Sequence, residues 1–308
     1  MRSMSDKWAV KLKKWKNYSM NDKAFFVVSF ILLTIFFLLV LYPCVFVLSS
    51  SFSSGKAVQA GKVILFPVDF SLQGYKTVFA NSDVWSGFFN SLFYTIVGTA
   101  INLVVTMICA YCMSRNDLRG RNGFMLFFTF TMFFSGGMIP NYLLMDSLHL
   151  INTRWALLLP GAMGVYNMIV ARTFIMSNIP NELLEASQMD GCSDIRYFIN
   201  VVLPLSKTVI AVLLLFYGVG HWNSYFNAMI YLNDRDMFPL TLFLREILAL
   251  SKIDPSSIDD PDLVAKLQEY AATIKYALIV VSMVPVMLVY PFVQKHFVKG
   301  VMIGSVKG

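Results

Sequence analysis

Residues Pro180–Pro204 read PNELLEASQMDGCSDIRYFINVVLP, a long polar passage set between segments apolar enough for a membrane. Pro180 suits the first turn of a helix, where its missing N–H costs nothing, and Glu182 and Glu185 bring negative charge to the positive end of that helix. Gly191 is free to take the left-handed conformation that closes a helix. Ser193 is placed to cap a second one, and Leu203-Pro204 is expected to force a break before the next apolar run. The stretch therefore predicts helix, tight turn, helix. Small Ala186 and Ser187 leave the first helix thin, and Glu182, Glu185 and Met189, spaced three and four apart, share a face. Such a helix pair suits docking against another protein.

The composition around this stretch excludes an ordinary soluble domain. Of 308 residues, 57% are apolar and 14% charged, whereas soluble domains carry charge at roughly a quarter of positions. The net charge of +7 does not point to nucleic acid, because the basic residues sit in tails and short loops beside apolar runs. Cys44, Cys109, Cys112 and Cys192 fall in or beside apolar or inner segments, so no disulfide is expected. Cys109 and Cys112 have redox-motif spacing, but they lie inside an apolar helix and read as small packing residues.

The sequence predicts an all-α polytopic membrane protein with six transmembrane helices at residues 24–48, 87–113, 124–145, 155–176, 205–231 and 276–294. Residues 1–23 form a basic tail in which Trp8, Val10, Leu12 and Trp15 suggest an amphipathic surface helix; 24–294 is the membrane domain, and 295–308 a second tail. Residues 49–86 read as a folded external segment and 232–275 as the longest external connection, with an amphipathic helix at Leu242–Leu250. The tails and the loops after the second and fourth spans hold 14 Lys and Arg, against nine on the other side. That bias places both termini and the Pro180–Pro204 loop in the cytoplasm.

Little in the chain reads as chemistry. Gly55-Lys56 through Gly61-Lys62 superficially resembles a phosphate loop, but the glycine interval is wrong and Val63 stands where magnesium would need a hydroxyl. No nucleotide, metal or other cofactor is expected. His149, His221 and His296 are scattered, and Asp254, Asp259, Asp260 and Asp262 lack the pattern of a calcium loop and read as a solvated face. With no catalytic constellation at membrane depth, a membrane enzyme is disfavoured. The fifth span is the most informative polar group: Tyr217, His221, Trp222, Asn223, Tyr225 and Asn227. Aromatics with amides stack on sugar rings and bond hydroxyls, so these residues are candidates for a sugar path. The other reading makes Trp222 and Tyr225 an interfacial belt and the two asparagines inter-helix contacts.

The pattern Glu185-Ala186-Ser187, three residues, Gly191, nine residues, Val201-x-Leu203-Pro204 resembles the EAA loop of ABC-importer permeases. Ser187 and Val201 replace Ala and Ile by residues of similar size. With Asp190 before the glycine and the ending Phe297–Gly308, the chain is similar to the carbohydrate branch, the maltose-permease G-subunit type. The resemblance implies a type I importer permease fold and a non-catalytic translocation subunit in a bacterial plasma membrane. It also implies a second homologous permease, two cytosolic ATP-binding subunits, an extracytoplasmic solute-binding protein and a sugar or oligosaccharide cargo. Glu182, Glu185, Ala186, Ser187, Asp190, Gly191, Leu203 and Pro204 would then form the ATPase-coupling loop. An importer for a non-sugar solute keeps the same architecture. An ion-coupled secondary transporter would call for inverted repeats and buried carboxylates in broken helices, and the sequence shows neither.

Overall fold

The computed structural model describes residues 18–250 and 261–304. The expected surface helix near Trp8 and the acidic residues Asp254, Asp259 and Asp260 lie outside the described residues. The described chain is helical between its loops, with one isolated bridge from Ser53 to Phe70.

The central element is a 33-residue helix, Ser82–Ser114. At 1.5 Å per residue it is about 50 Å long, more than a ~30 Å hydrocarbon core needs. It starts where the Asn81 side chain accepts a hydrogen bond from the Asp83 N–H. In chain order the helices are α1 (Met20–Ser51), α2 (Gly55–Gln59), α3 (Gln73–Ala80), α4 (Ser82–Ser114), α5 (Arg121–Phe133), α6 (Met138–Ser147) and α7 (Trp155–Leu158). There follow α8 (Val165–Asn178), α9 (Asn181–Met189), α10 (Asp194–Leu205), α11 (Lys207–Trp222), α12 (Phe226–Tyr231), α13 (Leu240–Leu250) and α14 (Pro261–Gly304).

The buried face of α4 is largely small or polar: Gly87, Asn90, Ser91, Gly98, Thr99, Asn102, Thr106 and Ala110. In lipid there is little hydrophobic drive between helices, so close approach over small residues and inter-helix hydrogen bonds take its place. α8 and α11 close onto this face through Met168, Ala171, Ile175, Val209, Leu213 and Tyr217. A second core joins α3, α4, α11, α13 and α14 through Val78, Val84, Trp222, Leu240, Ile274 and Leu278. By contrast α1 is apolar along its length and buries only Ser49, Ser50 and Ser51 at its end.

Several spans differ from the sequence reading. By length and composition α1, α4 and Leu267–Val289 within α14 can each cross a membrane, and two bent helix pairs raise that number to five among the described residues. Residues 124–145 are not one helix: α5 and α6 meet at 112° across Phe134–Gly137. Gly137, at φ 88°, takes a conformation closed to other residues without strain. Residues 155–176 divide into the single turn α7 and the 14-residue α8, separated by Pro160–Gly164. Residues 205–231 divide into α11 and α12 around Asn223–Tyr225. The last apolar segment starts earlier than residue 276, because its helix already runs from Pro261 through the connection expected at 232–275.

α3 meets α14 nearly backbone to backbone, since a Cβ on Gly74 would collide with the Thr273 carbonyl. That carbonyl belongs to a helix and cannot swing away. Gly74→Val is expected to cost about 1–3 kcal/mol, read as a lowered midpoint in thermal unfolding of the detergent-purified protein.

Candidate functional site

The helix pair is built locally and packs on the bundle through Leu184, Tyr197, Phe198 and Val202, leaving its tip exposed. Pro180 is the N-cap of α9 rather than its first residue, and Asn181 opens the helix. At the other end Gly191 sits at φ 70°. Its N–H donates to the Gln188 carbonyl at 3.0 Å, and the Cys192 N–H donates to the Ser187 carbonyl at 2.9 Å. This is the paired closure that a left-handed residue after a helix allows. Ser193 then caps α10 by accepting from the Arg196 N–H at 3.4 Å.

Glu182, Glu185, Ala186, Asp190 and Gly191 are exposed, and Ser187 is half-buried with its hydroxyl donating to the Leu184 carbonyl. Apolar side chains are also presented: Met189 is 89% exposed and Ile195 73%. Apolar groups gathered at the tip of a polar loop mark an interaction surface. The break expected at Leu203-Pro204 falls two residues later. Pro204 lacks the N–H that would bond the Asn200 carbonyl, and the helix widens just before it into a π turn over Phe198–Val202 instead of stopping. The chain bends later, at Ser206, where α10 and α11 meet at 80°.

The polar residues of the fifth segment fall into two groups. Tyr217 is buried, pairs with the Thr106 hydroxyl at 2.7 Å and accepts from the Gly164 N–H at 3.0 Å. The His221 Nε2–H donates to the Asn102 amide oxygen at 2.6 Å, while the Asn102 Nδ2 donates to the Gly161 carbonyl. Trp222 is buried and donates its indole N–H to the Ser282 carbonyl at 2.9 Å. These three bind helices together. Asn223, Tyr225 and Asn227 are exposed at the break and on α12. Tyr217, His221 and Tyr225, spaced four apart, would share a face on one unbroken helix, but α11 ends at Trp222 and Tyr225 lies beyond the break.

The side-chain partners of Tyr217 and His221 lie on α4. Ser91, Thr95, Thr99, Asn102 and Thr106 repeat at three to four residues, a helical stripe concealed by the apolar average of the segment. Further along the same face Asn90 donates to the carbonyls of Asp236 and Phe238, Tyr94 donates to that of Met237, and the Ser91 hydroxyl accepts from the Leu240 N–H. α4 thus bonds the Gly161 carbonyl and the stretch 236–240, while Tyr217 of α11 holds Gly164.

A family profile described as "Binding-protein-dependent transport system inner membrane component" matches residues 92–303. The chain is 40% identical over 289 residues to the polygalacturonan/rhamnogalacturonan transport system permease protein YtcP of Bacillus subtilis (strain 168), covering 94% of this chain and all of that one. It is 41% identical over 266 residues to protein LplC of the same strain, covering 86% and 89%. Its fold matches a chain in the crystal structure of a bacterial ABC transporter involved in the import of the acidic polysaccharide alginate. There the TM-score is 0.82 and the identity 35%, over 91% of this chain and 99% of that one. The fold is that of an ABC-importer permease. The chain belongs to the family of binding-protein-dependent transport system inner membrane components.

Tyr217→Phe and His221→Ala each leave buried partners unpaired, a loss of about 1–3 kcal/mol per group. The yield of assembled complex should fall in both variants while solute uptake per assembled complex stays unchanged; reduced uptake at full yield would return these residues to the path.

Proposed function

We propose that this chain is the translocation subunit of an ATP-driven importer of oligosaccharides. It pairs with a second, homologous permease around the path, draws on two ATP-binding subunits and receives cargo from an extracytoplasmic solute-binding protein. The observation that carries the reading is the exposed α9–Gly191–α10 pair on a membrane bundle with full-length similarity to sugar permeases. Its acidic and apolar tip is the surface offered to an ATP-binding subunit, so ATP hydrolysis resides outside this chain. The relatives named for polygalacturonan and for alginate transport acidic polysaccharides, which puts uronate oligosaccharides first among cargoes to test.

In this reading the chain crosses the membrane six times, with α7 and α8 together as the fourth crossing and both termini in the cytoplasm. The pathway residues are the exposed Asn223, Tyr225 and Asn227, near the broken backbone where sugar hydroxyls would find partners. Tyr217, His221 and Trp222 hold the wall behind them.

Two experiments test this. In a cysteine-free background, a cysteine replacing Gln188 should react only with reagent on the cytoplasmic side and one replacing Asn233 only from outside; the reverse pattern overturns the orientation. Gly191→Pro removes both the positive φ and the N–H bonded to Gln188. Uptake by membrane vesicles should be lost while the protein still inserts, and normal uptake would remove the helix pair from coupling.

A further inference from the structure

The two limbs of the helix pair are held differently. α9 stands over an open groove lined by Asn116, Pro180, Asn181, Leu184, Glu185 and Gln188. α10 is joined to the end of α4 by the packing of Tyr197 and Phe198 on Tyr111 and by the polar contacts of Arg115. Arg115, the C-cap of α4, turns its guanidinium back so that its side chain is only 11% exposed. Nη1 donates to the Asp194 carboxylate on α10 at 2.9 Å and to the Tyr111 hydroxyl on α4 at 3.0 Å. Nε and Nη2 form a fork on the two carboxylate oxygens of Asp117, at 2.8 and 2.6 Å. These bonds hold the Asp117 carboxyl below the usual carboxylate range. Beneath the guanidinium, the Tyr111 ring lies against Tyr197 and Phe198 of the same limb.

We propose that Arg115 is the positioning residue through which movement of the docked helix pair reaches α4, and that without it hydrolysis and transport come apart. This rests on the docking reading given under the proposed function. A planar fork held on two sides resists shear in a way that a point charge does not. α4 in turn bonds the Gly161 carbonyl beside the broken fourth segment and the carbonyls of 236–238 in the external connection, so a pull at Asp194 reaches both without passing through a flexible loop. Asp117 serves to aim the guanidinium; Asp194 carries the load. The tie lies at the edge of a core in which Tyr111 of α4 and Tyr197 and Val202 of α10 are buried together, so packing and the guanidinium join the same two elements.

The test uses the whole importer in lipid vesicles, with its ATP-binding subunits and solute-binding protein, and short oligogalacturonates as the cargo probe. The readout is the ratio of hydrolysis stimulated by the loaded binding protein to hydrolysis without it. Arg115→Gln and Asp194→Ala should each lower that ratio on the order of tenfold. The double variant should be no worse than either single one, because both remove the same tie. Arg115→Lys, which keeps the charge and loses the fork, should fall between. A ratio unchanged in Asp194→Ala, or losses that add in the double variant, overturns the proposal. Should Arg115→Gln fail to assemble, Asp194→Ala decides alone, since it leaves the Asp117 and Tyr111 contacts in place. Gly191→Pro assayed alongside separates the two ideas: normal stimulation there defeats docking itself, whereas its loss with an unchanged Asp194→Ala defeats only the Arg115 tie.

Discussion

Backbone that leaves a helix inside a membrane must find hydrogen-bond partners in the protein, because lipid offers none. The rest of this structure depends on how that demand is met. Three of the apolar segments are broken, at Phe134–Gly137, Pro160–Gly164 and Asn223–Tyr225, and a further irregular stretch precedes α13. The side chains of α4 supply the partners for two of these stretches. Asn102 reaches the Gly161 carbonyl, while Asn90 and Tyr94 reach carbonyls between Asp236 and Phe238. From α11, Tyr217 meets the Gly164 N–H and closes the circuit through Thr106. An amide is well suited to such work, since it donates to a carbonyl and accepts from a neighbour at once; Asn102 does both, between Gly161 and His221.

The same demand explains why α4 is continuous while its neighbours are not. A helix that satisfies its own backbone is free to spend every side chain on others, and small residues along its face let α8 and α11 come close enough to be reached. Gly98 shows the limit, for a Cβ there would enter the His221 ring. Moving that ring would break its bond to Asn102, so close packing and hydrogen bonding are set by the same few positions.

What could be read from the sequence was local. The Pro180–Pro204 stretch is governed by contacts within a turn or two: the left-handed Gly191 and the Ser193 cap involve residues at most five apart, and both lie where spacing put them. The family resemblance and the helical, membrane-embedded fold were legible for the same reason, being carried by spacing and by apolar runs. The breaks were not. An apolar segment of 27 residues looks the same whether it is one helix or two, and the ends of α11 and α12 depend on bonds such as Trp222 to Ser282, 60 residues away. Pro204 shows the subtler failure. Proline removes one donor, but a chain held at both sides can widen by one residue and continue, as Phe198–Val202 does.

That widening bears on how force would travel. A π turn is a soft place in an otherwise stiff helix, and this one lies between the limb tied to Arg115 and the bend at Ser206 that leads into α11. Displacement of α10 therefore meets two routes: a stiff one, through the guanidinium into α4, and a compliant one, through the π turn and the bend into α11. A stiff connection transmits more of a displacement than a compliant one, so under the proposed docking α4 would move with the helix pair, while α11 would follow through its own bonds to α4 at Thr106 and Asn102. The polar side chains that satisfy the broken backbone would then also set which segments move together.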